Sequence, residues 1–328
     1  MSDNLAKYTH RKIWLAPLAG FTDNAFRTIC KECGADVVVS EMISADGLLY
    51  NREKSLAYAR FEELQRPFVI QLFGSDAEIM LKGAEIALLE KPDIIDINMG
   101  CPVKKVVKKG AGSALMQNPD NAVNIVKTLK PVLQKVNIPL SVKIRAGWDK
   151  FSMNYLEFGK RMEDAGADFI CLHPRTRSQM FSGISDWQLI SNLKKSISIP
   201  VIGNGDINDA VSAKQMFEQT NCDSIMIGRG ILGKPWLFQI LKKYLETGEL
   251  VDVDMKEKIR LIRKHIDLTV QEKGSERAII ELRSHFAHYT KGCRDGARVR
   301  NYINRCFDPD DIFEAIENLY LKQESYET

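Results

Sequence analysis

Eight short apolar runs, each closed by Gly, Pro, Asn or Asp and most followed by a longer amphipathic stretch, occupy about the first 230 residues of this 328-residue chain. They are IWLAP (Ile13 to Pro17), DVVVSEMI (Asp36 to Ile43), PFVIQLF (Pro67 to Phe73), DIIDINMG (Asp93 to Gly100), PLSVKIRAG (Pro139 to Gly147), DFICLHP (Asp168 to Pro174), PVIGNGD (Pro200 to Asp206) and DSIMIGRG (Asp223 to Gly230). Strands that are apolar on both faces belong to a parallel sheet covered by helices. Eight such units in succession match an α/β fold of the (β/α)8 TIM-barrel type in length and order. A doubly wound open sheet competes, but no reversal point interrupts the series.

The stretches between the runs carry helix signals. Asp76 and Asn118–Pro119 are placed to start helices, and proline is at home in a first turn. Ala77 to Leu89 and Ala122 to Val136 show apolar residues at helical spacing, and Pro131 is expected to kink or end the second. The pattern changes near Gly248. From Met255 to Tyr320 no strand signal remains, and three amphipathic helices are expected there. The expected division is a catalytic barrel over 1–247 and a smaller all-α helical domain over 248–328.

An apolar fraction of 45% supports a packed core, and the net charge of +3 means that any basic surface arises by local clustering. Seven scattered cysteines are no disulfide framework. No run approaches a membrane span, and the polar N-terminus lacks a signal-type apolar core. The expectation is a soluble cytoplasmic protein.

In a barrel of this kind chemistry lies at the C-terminal ends of the strands, and the unusual residues cluster there. Strand ends carry Pro17-Leu18-Ala19, Gln71, Asn98-Met99-Gly100-Cys101, Lys143 and Arg145, His173, Asn204-Gly205-Asp206 and Gly228-Arg229. A polar residue in an apolar strand needs a partner, so the set implies a ligand in the barrel mouth. The glycines and the cation of the last two loops suit a phosphate. Ordinary βα turns would also favour Gly and Asn. Lys143 could form a Schiff base or stay charged beside an anionic ring. It could also pair with a core carboxylate. His173, directly before PRTR, reads as a ligand-binding residue rather than a core histidine. Cys101 precedes a proline and a lysine block (Lys104, Lys105, Lys108, Lys109) able to modulate its acidity. A thiol is mostly protonated at neutral pH and can act as a general acid. Cys30 and Cys33 form C-x-x-C without a second pair and read as helix residues, so no metal site is expected.

The segments APLAG, NMGCPVKKVVKKGAGSALM, VKIRAGW, HPRTRSQMFSGISDW, IGNGDI and IGRGILGKPWLF occur in this order. Together they resemble the tRNA-dihydrouridine synthases, the bacterial branch above all, from about Ile13 to beyond Arg300. The resemblance implies an FMN enzyme. NADPH would reduce the flavin, hydride would pass to C6 of a uracil, and Cys101 would protonate C5. Pro17 to Ala19, Gln71, Lys143, His173, Asn204 to Asp206, Gly228 and Arg229 fall on the family's flavin positions. Asn98 and Arg145 match residues that hold the uracil, with Arg175 and Arg177 nearby. Leu18 and Pro174 depart from the forms common in the family.

The base must leave its stack to enter a barrel mouth, so affinity comes largely from phosphates. Lys104 and Lys105 are candidate contacts. So are Lys291 and Arg298, which belong to a basic stretch, Arg277 to Arg305, interleaved with His285, Phe286, His288 and Tyr289. The expected partner is tRNA, and the expected state a monomer. Three other readings compete: an FMN-dependent dehydrogenase of a free pyrimidine, a Schiff-base aldolase using Lys143, and a non-catalytic RNA-binding protein.

Overall fold

The structure, a computed structural model, describes residues 3–327. Its strands are β1 (Ile13–Leu15), β2 (Val37–Val39), β3 (Ile43–Ser44), β4 (Phe68–Phe73), β5 (Ile94–Met99), β6 (Leu140–Arg145), β7 (Phe169–His173), β8 (Val201–Asn204) and β9 (Ser224–Ile227). All pair in parallel in the order β2-β1-β9-β8-β7-β6-β5-β4. β2 also pairs with β4 through Val38↔Phe68 and Val39↔Val69, which closes the ring. Eight strands thus form the expected barrel, and β3 is a two-residue extra pairing on β4 at Ile43↔Leu72.

The run Asp36–Ile43 is therefore not one strand. At Ser40 the side chain replaces the backbone ladder. Its Oγ accepts the N–H of Gln71 at 3.0 Å and donates to the carbonyl of Glu41 at 2.8 Å. The chain turns there, and the carboxylate of Glu41 accepts the N–H of Gly20 in the loop after β1.

Alternate strand residues fill the barrel. Trp14, Val37, Val39, Val69, Ile94, Phe169, Cys171, Ile202 and Met226 form one buried cluster, and Tyr8 of the helix Asp3–Thr9 packs into it. The indole of Trp14 donates to the carbonyl of Tyr8 at 3.0 Å, and Ser224 Oγ to that of Thr9 at 2.7 Å. The far strand faces pack against the surrounding helices in a second, larger cluster.

The predicted helix starts hold. Asp76 caps the helix Ala77–Leu88 by accepting the N–H of Ile79, and Asn118 caps Pro119–Lys135 with Pro119 in its first turn. Pro131 does not end that helix. It is exposed, as is Lys127, so the carbonyl it leaves without a donor faces water while Val126, Leu129 and Leu133 hold the buried side. Cys30 lies in the helix Asn24–Glu32 and Cys33 caps it, both buried.

Among the described residues beyond Gly248 there are four helices, not three: Met255–Lys273, Ser275–Tyr289, Gly296–Ile303 and Pro309–Glu327. They seat on the helix Asn24–Glu32 and on the loop after β9. Glu32 pairs with Lys264 at 2.6 Å, Lys273 pairs with Asp23, and Trp236 stacks on Tyr289. Gly233 lies so close to the carbonyl of His288 that an added Cβ would stand 2.3 Å from it. His265 and His285 are buried in this seam against Phe26, with burial pushing His265 down to about 4.

Candidate active site

The parallel register sets Gln71 beside Asp96, Asn98 beside Lys143, and Arg145 beside His173. The two-residue period of a strand puts Asp96 with Asn98, Ser141 with Lys143 and Arg145, and Cys171 with His173 on the barrel's inner face. These polar residues therefore form the upper layer over the apolar interior.

On one side they are joined in series. Ser141 Oγ donates to Asp96 Oδ1 at 2.5 Å, and Gln71 Nε2 to Asp96 Oδ2 at 2.7 Å. Asn98 Nδ2 donates to Gln71 Oε1 at 2.8 Å, and Asn98 Oδ1 accepts the N–H of Cys101 at 2.8 Å and of Gly100 at 3.2 Å. Asn98 thus holds the cysteine loop, with both ends of its amide engaged.

On the other side the residues gather around an anion-shaped space. Lys143 Nζ donates to Asn204 Oδ1 at 2.8 Å, and Asn204 Nδ2 to the carbonyl of Met226 at 2.8 Å. Among the described residues no carboxylate bonds Lys143. Arg175 is 2% exposed and bonds Ser185 Oγ, Asp206 Oδ2 and the carbonyls of Ser182 and Gly183. Asp206 also faces Arg229 at 3.8 Å. Burial opposes ionisation of Asp206, but the bonds from Arg175 and Ser185 win and hold its carboxyl below the ordinary value. His173 is pushed far below its ordinary pKa, by burial first and then by Lys143, Arg145, Arg175 and Arg229. It is a neutral imidazole. Because Arg175 can only donate to its Nε2, at 3.3 Å, the ring proton sits on Nδ1.

Four cations against the carboxylates of Asp96 and Asp206 leave this mouth with surplus positive charge. Gly205 has φ +123°, and a Cβ there would stand 2.5 Å from Ser185 Oγ and 3.0 Å from His173 Cδ2. A Cβ at Gly228 would meet Ala16 and Leu18 at 3.7 Å, in ordinary contact. Bare glycine backbone and surplus cations fit a cofactor with a phosphate and an anionic ring.

Cys101 is half-buried at the edge of this space. Burial raises its thiol above the ordinary 9.0, with the N–H of Val103 and the cation of Arg145 partly offsetting. The thiol is protonated at neutral pH. Arg145 is the cation that acts on it. The four lysines after it are exposed and do not shift it. Arg145 Nε donates to the carbonyl of Gly100 at 2.8 Å, and Nη1 to those of Thr176 and Met180. Gly112, at φ +61°, lets the chain pass where a Cβ would stand 2.8 Å from the carbonyl of Cys101.

The other expected residues fall into place around this centre or outside it. Pro17 and Leu18 are half-buried, Leu18 beside Gly228, and Ala19 is exposed. Arg177 stacks on Trp148 at 4.5 Å and lies outside the bonded set. Lys104 and Lys105 are exposed beside the cysteine loop, and Lys291 and Arg298 are exposed on the helical unit. His285, Phe286 and Tyr289 are core residues of the seam, which corrects their reading as part of a basic, aromatic surface. Five residues escaped sequence reasoning: Glu41, Asp96, Ser141, Phe181 and Ser185. Phe181 sits between the guanidinium groups of Arg229, at 4.6 Å, and Arg145, at 5.6 Å. Only Asp96 left a readable signal, as an acid inside the apolar run DIIDI.

The family model for dihydrouridine synthase (Dus) matches residues 14–324. The chain belongs to the dihydrouridine synthase family. It is 40% identical over 310 residues to tRNA-dihydrouridine synthase B of Pasteurella multocida, covering 94% of this chain and 92% of that one. It is 37% identical over 305 residues to tRNA-dihydrouridine synthase B of Escherichia coli, covering 92% and 94%. Among solved structures, histamine dehydrogenase from a Rhizobium species superposes with a TM-score of 0.56 at 14% identity, over 84% of this chain and 49% of that one. An old yellow enzyme homologue from Zymomonas mobilis gives 0.50 at 13%, over 75% and 92%. At such identity these two attest the barrel and nothing further. The matched region, residues 14–324, takes in the barrel from Trp14 onward and the terminal helices as far as residue 324.

Proposed function

We propose that this chain reduces the C5=C6 bond of uridines in the D-loop of tRNA, with FMN in the barrel mouth and NADPH as electron donor. Family membership supports the reaction class, and the names of the relatives support tRNA as substrate. The observation that carries the mechanism is the protonated Cys101 thiol, on a loop that Asn98 holds through the Cys101 N–H at the edge of a cationic mouth. When bound, FMN would supply the hydride chemistry at C6 of the uracil, with NADPH as the source of its electrons. The chain's own residues do the rest. Gly205, Gly228 and Arg229, with Arg175 holding Asp206 aside, would take the phosphate. Pro17 to Ala19, Gln71, Lys143, His173 and Asn204 would line the ring, with Lys143 offsetting its negative charge. Cys101 Sγ gives its proton to C5 as the C5 carbanion forms, and Arg145 faces the thiolate left behind until water reprotonates it. A positioned acid of this kind contributes about 10²–10⁴-fold.

A barrel mouth admits only an extruded base. Lys104 and Lys105 on the rim, with Lys291 and Arg298 on the helical unit, would meet backbone phosphates. This assigns residues 1–247 to flavin chemistry and 248–328 to RNA. No helix among the described residues is long and apolar enough to cross a membrane, and we place the enzyme in the cytoplasm as a monomer. A free-pyrimidine dehydrogenase would have no use for the exposed cations of the helical unit.

The test is mass-spectrometric mapping of dihydrouridine in unmodified tRNA transcripts, and in tRNA from cells lacking the modification, after incubation with FMN-loaded protein and NADPH. Gain of two hydrogens at a D-loop uridine is expected. No gain in either tRNA with flavin bound moves the assignment to a free pyrimidine. Cys101→Ala is expected to keep flavin reduction by NADPH and lose most turnover, and wild-type-like turnover removes Cys101 from the mechanism.

A further inference from the structure

Asp96 is a carboxylate 5% exposed inside a barrel, and among the described residues no Lys or Arg bonds it. Burial pushes its carboxyl up to about 6, with Ser141, Gln71 and Lys143 partly offsetting, so it is ionised at neutral pH. Burying such a charge is costly unless its bonds do something the fold needs. The reaction derived above assigns it no part.

We propose that Asp96 is a positioning residue that seats the Cys101 thiol by fixing which way two carboxamides face. This rests on the reading of Cys101 as proton donor. A carboxamide has a donor end and an acceptor end, whereas a carboxylate only accepts. Asp96 Oδ2 therefore demands the NH₂ of Gln71. That leaves Gln71 Oε1 toward Asn98, which must then offer its own NH₂. Asn98 Oδ1 is left facing the N–H groups of Gly100 and Cys101, the only arrangement in which both find an acceptor there. Reversing Gln71 sets two acceptor oxygens together. Reversing Asn98 sets its NH₂ against two backbone donors. A buried donor or acceptor left unmatched loses its bond to water without gaining another, so the order runs one way from Asp96 to the cysteine loop. Ser141 on the other carboxylate oxygen and Ser40 on the N–H of Gln71 hold the first link in place.

The test uses the full chain, with and without flavin, and reads iodoacetamide alkylation of Cys101 by peptide mass spectrometry. Asp96→Leu and Gln71→Met each break the series and are expected to speed alkylation about tenfold or more by loosening the loop. Asp96→Asn can still accept from Gln71 while its amide turns to Ser141, and is expected to stay within about threefold of wild type. In Asp96→Leu, dihydrouridine formation falls further than flavin reduction by NADPH does. Wild-type alkylation in Asp96→Leu overturns the proposal. If that variant does not fold, wild-type alkylation in Gln71→Met does so. Equal loosening in Asp96→Asn and Asp96→Leu also overturns it, because charge rather than bond order would then be what matters. Should Cys101→Ala retain turnover, the proton-donor reading fails on its own, and the alkylation rates still judge the relay.

Discussion

Replacing Lys273 by Met tests how firmly the helical unit is fastened to the barrel mouth. Lys273 pairs with Asp23, which caps the helix Asn24–Glu32 directly after the loop carrying Leu18, and with Glu281 at 2.8 Å. Breaking a fully buried pair costs about 3–5 kcal/mol, whereas an exposed pair is worth about 0–1. Lys273 is 12% exposed and Asp23 21%. Asp23 keeps the N–H of Phe26 and Glu281 keeps Arg277, so a loss of about 2–3 kcal/mol is expected at neutral pH. The pH dependence separates charge from packing. Burial would raise the carboxyl of Asp23, but Lys273 and His265 hold it below the ordinary 3.8. Its stabilisation is complete above 3.8 and is lost as pH falls through the folded value. In Lys273→Met burial acts with little opposition. Asp23 then takes up a proton on the way down from neutral, and the gap to wild type closes. The assay is urea unfolding followed by tryptophan fluorescence at neutral and acid pH, since Trp236, in the loop after β9, lies against Tyr289 and Tyr320 of the helical unit. Asp23→Asn added to Lys273→Met should recover part of the loss. A deficit below about 1 kcal/mol, or one unchanged at acid pH, would refute the reasoning.

Three further outcomes are expected. With the thiol raised above 9.0, the rate of the tRNA half-reaction stays level from neutral pH up to about 9 and falls only beyond it. A fall beginning near neutrality in stopped-flow traces would mean that the proton comes from elsewhere. Gly205→Ala strains a position at φ +123° and sets a methyl 2.5 Å from Ser185 Oγ. It should cost about 1–3 kcal/mol and weaken flavin binding in fluorescence titration. Lys291→Ala and Arg298→Ala should each reduce the slope of log binding constant against log salt by about 1, and unchanged slopes would take these residues off the RNA path.

The barrel was legible because buried parallel strands advertise themselves as apolar runs, and the strand-end polar residues stood out against them. Asn118–Pro119 and Asp76 were legible as caps for the same local reason. What failed depended on long-range partners. The break at Ser40 turns on its bond to Gln71, thirty-one positions away. The helix Gly296–Ile303 went unread because it begins at Asp295 in a left-handed conformation without a side-chain cap. His285, Phe286 and Tyr289 looked like a surface because their neighbours in sequence are basic. Only the packing of the seam shows them inside. The relay from Asp96 joins three strands, and no spacing in one dimension encodes it.

The filled barrel floor has a kinetic consequence. Trp14, Phe169 and Tyr8 close the lower end, so everything that meets the ring must come and go through one doorway. On the proposed reaction, nicotinamide and nucleic acid then have to take turns. Steady-state plots at several tRNA concentrations should give parallel lines, and an unreactive nicotinamide dinucleotide should compete with tRNA while leaving the maximal rate unchanged. The enzyme would work as a turnstile, charged by one visitor and discharged by the next.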